Sequence, residues 1–284
     1  MSKLKVAVIG AGLMGCGIAQ ACAQAEHDVI NVDLSEKAIE KAKGTLKKIF
    51  EAKVAKGKIS LEQMNEVLSR IEYSSKFEDV KGCEIIIEAV PENIQIKKDV
   101  FSKLDQVADE NTILISNTSG LSISEIAAST NRPNKVMGVH FFYPAPVMKL
   151  VELIRGIATD NNTYETVRNF AIDIGKQIVD APEYPGFIVN RVLVPMQNEA
   201  AFLVMEGCKP EDVDKAMKLG ANFPMGPLEL TDFVGIDVML ATMNGLYNGF
   251  KDSKYRPCPL LENMVKAGRL GRKTGIGFYN YENE

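Results

Sequence analysis

Histidine is nearly missing from this chain: 284 residues hold two, and one of them, His140, closes an apolar run, Val136-Met137-Gly138-Val139. Cysteine is present but unpatterned. Cys16, Cys22, Cys83, Cys208 and Cys258 are scattered without CxxC spacing, which argues against a disulfide frame and against a metal site and fits a reducing, cytoplasmic compartment. Positive charge is in deficit, with a formal net charge of −4 and a pI of about 5.5, so nucleic acid and anionic membrane are set aside as main partners. No apolar run approaches the length of a bilayer span. Met1-Ser2-Lys3-Leu4-Lys5 passes straight into a strand-like run, which leaves no room for a secretory signal. Internal repeats and low-complexity segments are also lacking, and a globular cytoplasmic protein is expected.

What is there is enough apolar residue, 46% of the chain, to bury one large core or two ordinary ones. The first half alternates strand-like and helix-like segments, the pattern of a parallel sheet with crossover helices. Strands are expected at Lys5 to Ile9, Asp28 to Asp33, Glu84 to Ala89, Thr112 to Ser116, Val136 to His140, Val147 to Ile154 and Gln177 to Val179. Helices are expected at Gly15 to Gln24, Ile94 to Val107 and Ser122 to Ala128. Helical periodicity over Ser35 to Val54 and Leu61 to Arg70 is too long for a simple crossover and reads as an insertion. The prolines and glycine of Ala181-Pro182-Glu183-Tyr184-Pro185-Gly186 mark a boundary. Beyond it Phe187 to Glu206, Pro210 to Leu219, Gly226 to Tyr247 and Leu260 to Ala267 read as helices, with a strand only in the tail, Gly277 to Tyr281. The fold class is therefore α/β, a Rossmann-like mostly parallel sheet with a helical insertion over residues 1–185, followed by an all-α domain over residues 186–284.

Gly10-Ala11-Gly12-Leu13-Met14-Gly15 follows a strand and opens a helix. Its glycines fall where a tight turn, close pyrophosphate approach and helix packing need them, and the helix start supplies backbone donors for phosphate. The second strand ends in Asp33, eighteen residues after Gly15, where a carboxylate would bond ribose hydroxyls and repel a 2′-phosphate. NAD is expected over NADP. A plain glycine-rich turn is the blander alternative.

His140 has a possible partner in Glu152, a lone acid inside Val151-Glu152-Leu153-Ile154. A carboxylate beside an imidazole fixes its tautomer and stabilises the imidazolium, the simplest proton-transfer pair available. A histidine ending a strand is more often a hydrogen-bonded structural residue, but an acid inside an apolar strand needs a partner. With the glycine loop and the Ser116-Asn117-Thr118-Ser119-Gly120 turn, the pair points to hydride chemistry on an alcohol or ketone.

Ile115-Ser116-Asn117-Thr118-Ser119-Gly120-Leu121-Ser122-Ile123, Gly138-Val139-His140-Phe141-Phe142 and the run Pro144 to Glu152 strongly resemble the 3-hydroxyacyl-CoA dehydrogenases. Pro185 to Arg191, Pro224-Met225-Gly226-Pro227 and Gly271 to Tyr279 extend the resemblance over essentially the whole chain. The compact length and the run from Pro144 to Glu152 look most like the bacterial members acting on 3-hydroxybutyryl-CoA. The resemblance implies NAD-dependent, reversible oxidation of a short-chain (S)-3-hydroxyacyl-CoA to its 3-ketoacyl-CoA. His140 would be the general base, Glu152 its orienting acid, and Ser119 and Asn190 the hydrogen-bond partners of the substrate oxygen. Ala89, Glu92, Lys97, Asn117, Ser119 and Lys273 would line the nicotinamide side. The family's cleft lies between its two domains, and its members pair as dimers, so a homodimer or higher homo-oligomer is expected. One position departs: Tyr143 stands where the family usually has asparagine, and tyrosine lacks the amide's paired donor and acceptor.

Lys41, Lys43, Lys47, Lys48, Lys53, Lys56 and Lys58 crowd one stretch. By periodicity this is a solvated helix face; by the resemblance it faces coenzyme A, with Lys53 and Lys56 nearest the contact region. Seven methionines, Met196 to Met264, stud the helical half and read as core filler or as part of a subunit interface. Rival readings on the same fold are enzymes of dicarboxylic acyl-CoA, sugar acids or free hydroxy acids, and a dinucleotide-binding protein without turnover.

Overall fold

The computed structural model describes residues 3–282, and the chain divides into two compact units between Glu183 and Tyr184. In the first, eight strands form one sheet in the order β3-β2-β1-β4-β5-β6-β7-β8. They are β1 Lys5–Ile9, β2 Asp28–Val32, β3 Ile71–Ser74, β4 Ile85–Glu88, β5 Ile113–Ser116, β6 Val136–Phe141, β7 Leu150–Arg155 and β8 Gln177–Ala181. Neighbours run parallel except β6 and β7, which are antiparallel. The central strands β4 and β5 are buried along their whole length, which is why they read as unbroken runs of Ile and Leu rather than as alternation.

Helix α1, Leu13–Gln24, presents Gly15, Ala19, Cys22 and Ala23 inward, small residues that let it lie close to the sheet. Helix α2, Glu36–Ala55, buries only Ile39, Ala42, Leu46 and Phe50, a stripe at helical spacing that leaves its lysines on the other faces. Ser35 caps it by accepting from the Ala38 amide, and Ser60 and Gln63 form a reciprocal capping box on α3, Leu61–Ser69. The expected insertion is thus the crossover to β3, an edge strand with only Ile71 buried and so without a legible apolar run. Helix α4, Ile94–Val107, follows β4 and α5, Ile123–Ala127, follows β5. A further helix, α6 Asn161–Asp173, lies in a stretch for which the sequence suggested no element. Strand β7 begins at Leu150 rather than Val147, because residues 143–149 are a turn in which the Val147 and Met148 amides both reach the Pro144 carbonyl.

The second unit is helical: α7 Val189–Met205, α8 Pro210–Gly220, α9 Pro227–Val234, α10 Ile236–Phe250 and α11 Pro259–Lys266. The segment read as one helix from Gly226 to Tyr247 is broken at Gly235, whose φ of +108° no helix can carry. The expected tail strand is instead a series of isolated bridges. Buried Asp232 organises it by accepting the amides of Phe278 and Tyr279, both at 3.0 Å, and the Tyr281 hydroxyl at 3.1 Å. Met239 and Met243 fill this unit's core, whereas Met205 is 47% exposed.

Candidate active site

The carboxyl ends of β1, β4, β5 and β6 carry the residues singled out in the sequence, at the edge of an open sheet where ligands of α/β folds bind. Gly10 leaves β1 with φ +106°, and a Cβ there would stand 2.7 Å from the Ala89 carbonyl oxygen. At Gly15 a Cβ would fall 1.9 Å from the Gly10 oxygen, while at Gly12 it would meet open space. Gly12 is the N-cap of α1 and supplies no side-chain hydrogen bond, so the helix start offers its amides and its positive dipole end to an outside group. Such a cradle fits a dinucleotide pyrophosphate. Asp33 closes it: Oδ2 accepts from the Ala11 amide at 2.8 Å and Oδ1 from the Ser35 amide at 2.9 Å. Asn31, which sequence reasoning passed over, lies fully buried beneath, its amide donating to the Val8 and Gly10 carbonyls at 2.9 Å each.

His140 and Glu152 are directly opposed in the β6–β7 register. Their side chains meet at 2.7 Å, Nδ1 to Oε2, with the residues 5% and 0% exposed. The antiparallel return of β7 produces this pair, and a one-residue slip would turn Glu152 to the opposite face. Beside it the Asn117 side-chain oxygen accepts the Phe141 amide at 2.9 Å, tying the end of β5 to β6. The Phe142 ring packs 4.4 Å from the imidazole, centroid to centroid.

Lys97 turns inward, 1% exposed, with its ammonium 2.6 Å from Glu88 Oε1 and 3.4 Å from Glu92 Oε2. Glu88 also accepts the Val90 amide at 2.7 Å and the Ser116 hydroxyl at 2.6 Å. Glu92 in turn accepts the Thr118 hydroxyl at 2.6 Å and the Ser119 amide at 2.8 Å. A closed circuit of charge-assisted bonds therefore fixes the turn that bears Ser119. Glu88 was missed in the sequence, although an acid ending an isoleucine run carries the same signal as Glu152.

A cavity of about 430 Å³ lies between α1, α2 and the 143–147 turn. Its lining is mostly apolar, including Leu13, Leu46, Ile49 and Val147, with Lys41 and Lys53 as its cations. Lys56 is exposed and not part of this lining. Tyr143 is 53% exposed and forms part of the wall. In the second unit Asn190 is the second residue of α7, half-buried, and exposed Lys273 pairs with Asp237 at 2.5 Å.

A doubly wound sheet with this glycine cradle and a buried His–carboxylate pair defines a dinucleotide-dependent oxidoreductase. Family models for the 3-hydroxyacyl-CoA dehydrogenase NAD binding domain and C-terminal domain match residues 5–184 and 186–281. The 3-hydroxybutyryl-CoA dehydrogenase of Clostridioides difficile is 51% identical over 98% of this chain and 99% of its own. The human mitochondrial hydroxyacyl-coenzyme A dehydrogenase is 42% identical over 98% and 91%. The crystal structure of (S)-3-hydroxybutyryl-CoA dehydrogenase from Ralstonia eutropha superposes with a TM-score of 0.95 at 44% identity, covering 99% of this chain and all of the other. The chain belongs to the 3-hydroxyacyl-CoA dehydrogenase family. It is an NAD-dependent oxidoreductase of that family.

Proposed function

We propose that this chain interconverts (S)-3-hydroxybutyryl-CoA and acetoacetyl-CoA, with His140 and Glu152 as its acid/base pair. The observation that carries the reading is the buried Nδ1–Oε2 contact at 2.7 Å on two register-opposed strands. Glu152 holds Nδ1–H and leaves Nε2 the basic nitrogen, and the carboxylate balances the charge gained when Nε2 takes the C3 hydroxyl proton. Bound NAD supplies the hydride acceptor for the hydrogen leaving C3. Ser119, on the turn fixed by Glu92, and Asn190 hydrogen-bond the substrate oxygen. Gly10, Gly12, Leu13, Met14, Gly15 and Asp33 hold the adenosine and pyrophosphate. Ala89, Glu92, Lys97, Asn117 and Lys273 belong to the nicotinamide side; Lys97 acts there through Glu92, since its own ammonium is buried.

The apolar cavity beside α2 takes the acyl-CoA arm, with Lys53 at its phosphate-bearing portion and Lys56 at the exposed end of the helix. The names of the most similar relatives favour the four-carbon substrate. Val192, Phe233, Val234 and Val238 of the helical unit are each exposed by 46% or more, which supports a homodimer covering them. Five free cysteines, four of them buried, are consistent with a cytoplasmic setting.

The test is NADH consumption on mixing the protein with acetoacetyl-CoA, with NADPH and free acetoacetate as paired controls. Consumption confined to NADH with the thioester is expected. NADH binding without turnover of acetoacetyl-CoA would remove the substrate assignment.

A further inference from the structure

Lys176 is a buried cation that no step above uses. It sits between Gly175, whose φ of +76° ends α6, and the first residue of β8. The residue is 8% exposed. Its backbone amide is anchored on the Ala171 carbonyl at 2.9 Å, while its side chain runs beneath the 143–149 turn. There the ammonium donates to the carbonyls of Ala145 at 2.5 Å and Met148 at 2.9 Å. Both acceptors are neutral, and burial pushes this ammonium below the usual lysine range. A buried charge bonded to carbonyls is costly; an apolar side chain of similar length would avoid that cost but leave the Ala145 and Met148 carbonyls without this donor.

What the two bonds hold is one wall of the substrate cavity. Tyr143, Pro144, Ala145, Pro146 and Val147 all line it, and the turn joins the strand bearing His140 to the strand bearing Glu152. A second support comes from α1, where a Cβ on Gly17 would approach Pro146 Cδ to 3.3 Å and the Ala145 Cβ to 3.4 Å. The wall is therefore held from below by Lys176 and seated against a glycine from the side. The His140–Glu152 pair is fixed separately, by the β6–β7 ladder.

We infer that Lys176 is a positioning residue for the acyl-CoA substrate: it sets the shape of the 143–148 wall, and through it substrate affinity, without taking part in proton transfer or cofactor binding. This rests on the cavity being the acyl-CoA site. Loss of two hydrogen bonds in Lys176→Met should raise the KM for acetoacetyl-CoA about five- to tenfold, while kcat and the KM for NADH change less than about twofold. Lys176→Arg, which keeps charge and donors, should recover part of that loss. Gly17→Ala, which presses on the same wall without touching Lys176, should raise the same KM and covers the case in which Lys176→Met does not fold. A KM for acetoacetyl-CoA unmoved in every folded variant overturns the inference, as does a fall in kcat or NADH affinity that matches the rise in KM. Lys53→Ala separates the two readings. If it raises the substrate KM while the Lys176 and Gly17 variants do not, the positioning role alone fails. If all of these variants leave substrate affinity unchanged, the placement of acyl-CoA in this cavity fails with it.

Discussion

His140 and Glu152 form a unit in which each residue depends on the other: the buried carboxylate is answered by the imidazole at 2.7 Å, and in the proposed role the carboxylate keeps Nδ1 protonated so that Nε2 can act as the base. His140→Gln keeps a polar group in the strand but cannot accept and return a proton. Turnover should drop by roughly two to four orders of magnitude, the usual worth of a positioned acid or base, while NADH affinity measured by fluorescence titration stays near wild type. Near-wild-type turnover would return His140 to a structural role. Gly15→Ala makes the opposite prediction. Its Cβ would fall 1.9 Å from the Gly10 oxygen, so the cradle must open and NADH affinity should fall steeply, by calorimetry, whatever happens to the acid/base pair. At this scale a residue that contradicts its surroundings was the legible signal, as an acid among Val, Leu and Ile is in Glu152, although Glu88 carries the same signal and was missed. The role of Lys97 was less legible. That lysine lies nine residues from Glu88 on the following helix, and only the crossover brings ammonium and carboxylate together. Lys53 and Lys56 look alike in sequence, and the cavity lining tells them apart.

Elements were legible in proportion to how much apolar pattern they carry. β4 and β5 are continuous buried runs and stand out. β3 has one buried residue, and α6 begins in the polar stretch Asp160-Asn161-Asn162-Thr163, where capping chemistry rather than hydrophobicity marks the start. Asp160 accepts from the Thr163 amide at 2.7 Å, and that bond, with a second from the Asn134 side chain, holds its carboxyl below the usual aspartate range. A group whose folded pKa is depressed contributes stability that is present above its unfolded pKa and lost as the pH falls through the folded value. Asp160→Ala should therefore cost about 1 kcal/mol at neutral pH, and the gap from wild type in denaturant unfolding should narrow as the solution is acidified below the aspartate range. A gap constant with pH would show that the cap works without its charge. Gly138 makes a packing prediction on the strand that carries His140. A Cβ there would stand 2.7 Å from Ile123 Cδ1 and 3.1 Å from Ile154 Cβ, so Gly138→Ala should lower thermal stability by about 1–3 kcal/mol, the usual range for overpacking, and a neutral effect would mean that Ile123 repacks freely.

Across the molecule, the two units are built on different rules. The first has a sheet whose parallel strands β1 to β6 all end at one edge. The second is held by helix packing and by two buried acids, Asp214 and Asp232, that gather backbone amides from the segments around them. That division was visible as a change of pattern near residue 185, because alternating strand and helix signals stop there and helical periodicity takes over; the tail's organisation around Asp232 was not, since an acid in a helix gives no hint of which distant amides it will accept. The glycine cradle proposed for the adenosine and pyrophosphate, Gly10 to Asp33 with Ala89 against Gly10, lies within the sheet unit, so cofactor binding there should act on the stability of that unit. A ligand at about a hundred times its Kd adds about 2.7 kcal/mol to the native state, and for a unit of this size that corresponds to a rise of roughly 5–10 °C in its unfolding midpoint. NADH should produce that rise in scanning calorimetry. NADPH should not, because its 2′-phosphate would lie against the Asp33 carboxylate, whose oxygens already accept the Ala11 and Ser35 amides and so cannot swing aside without opening the loop. Equal shifts from the two cofactors would mean that Asp33 serves the glycine loop alone and that the preference for NAD is set elsewhere.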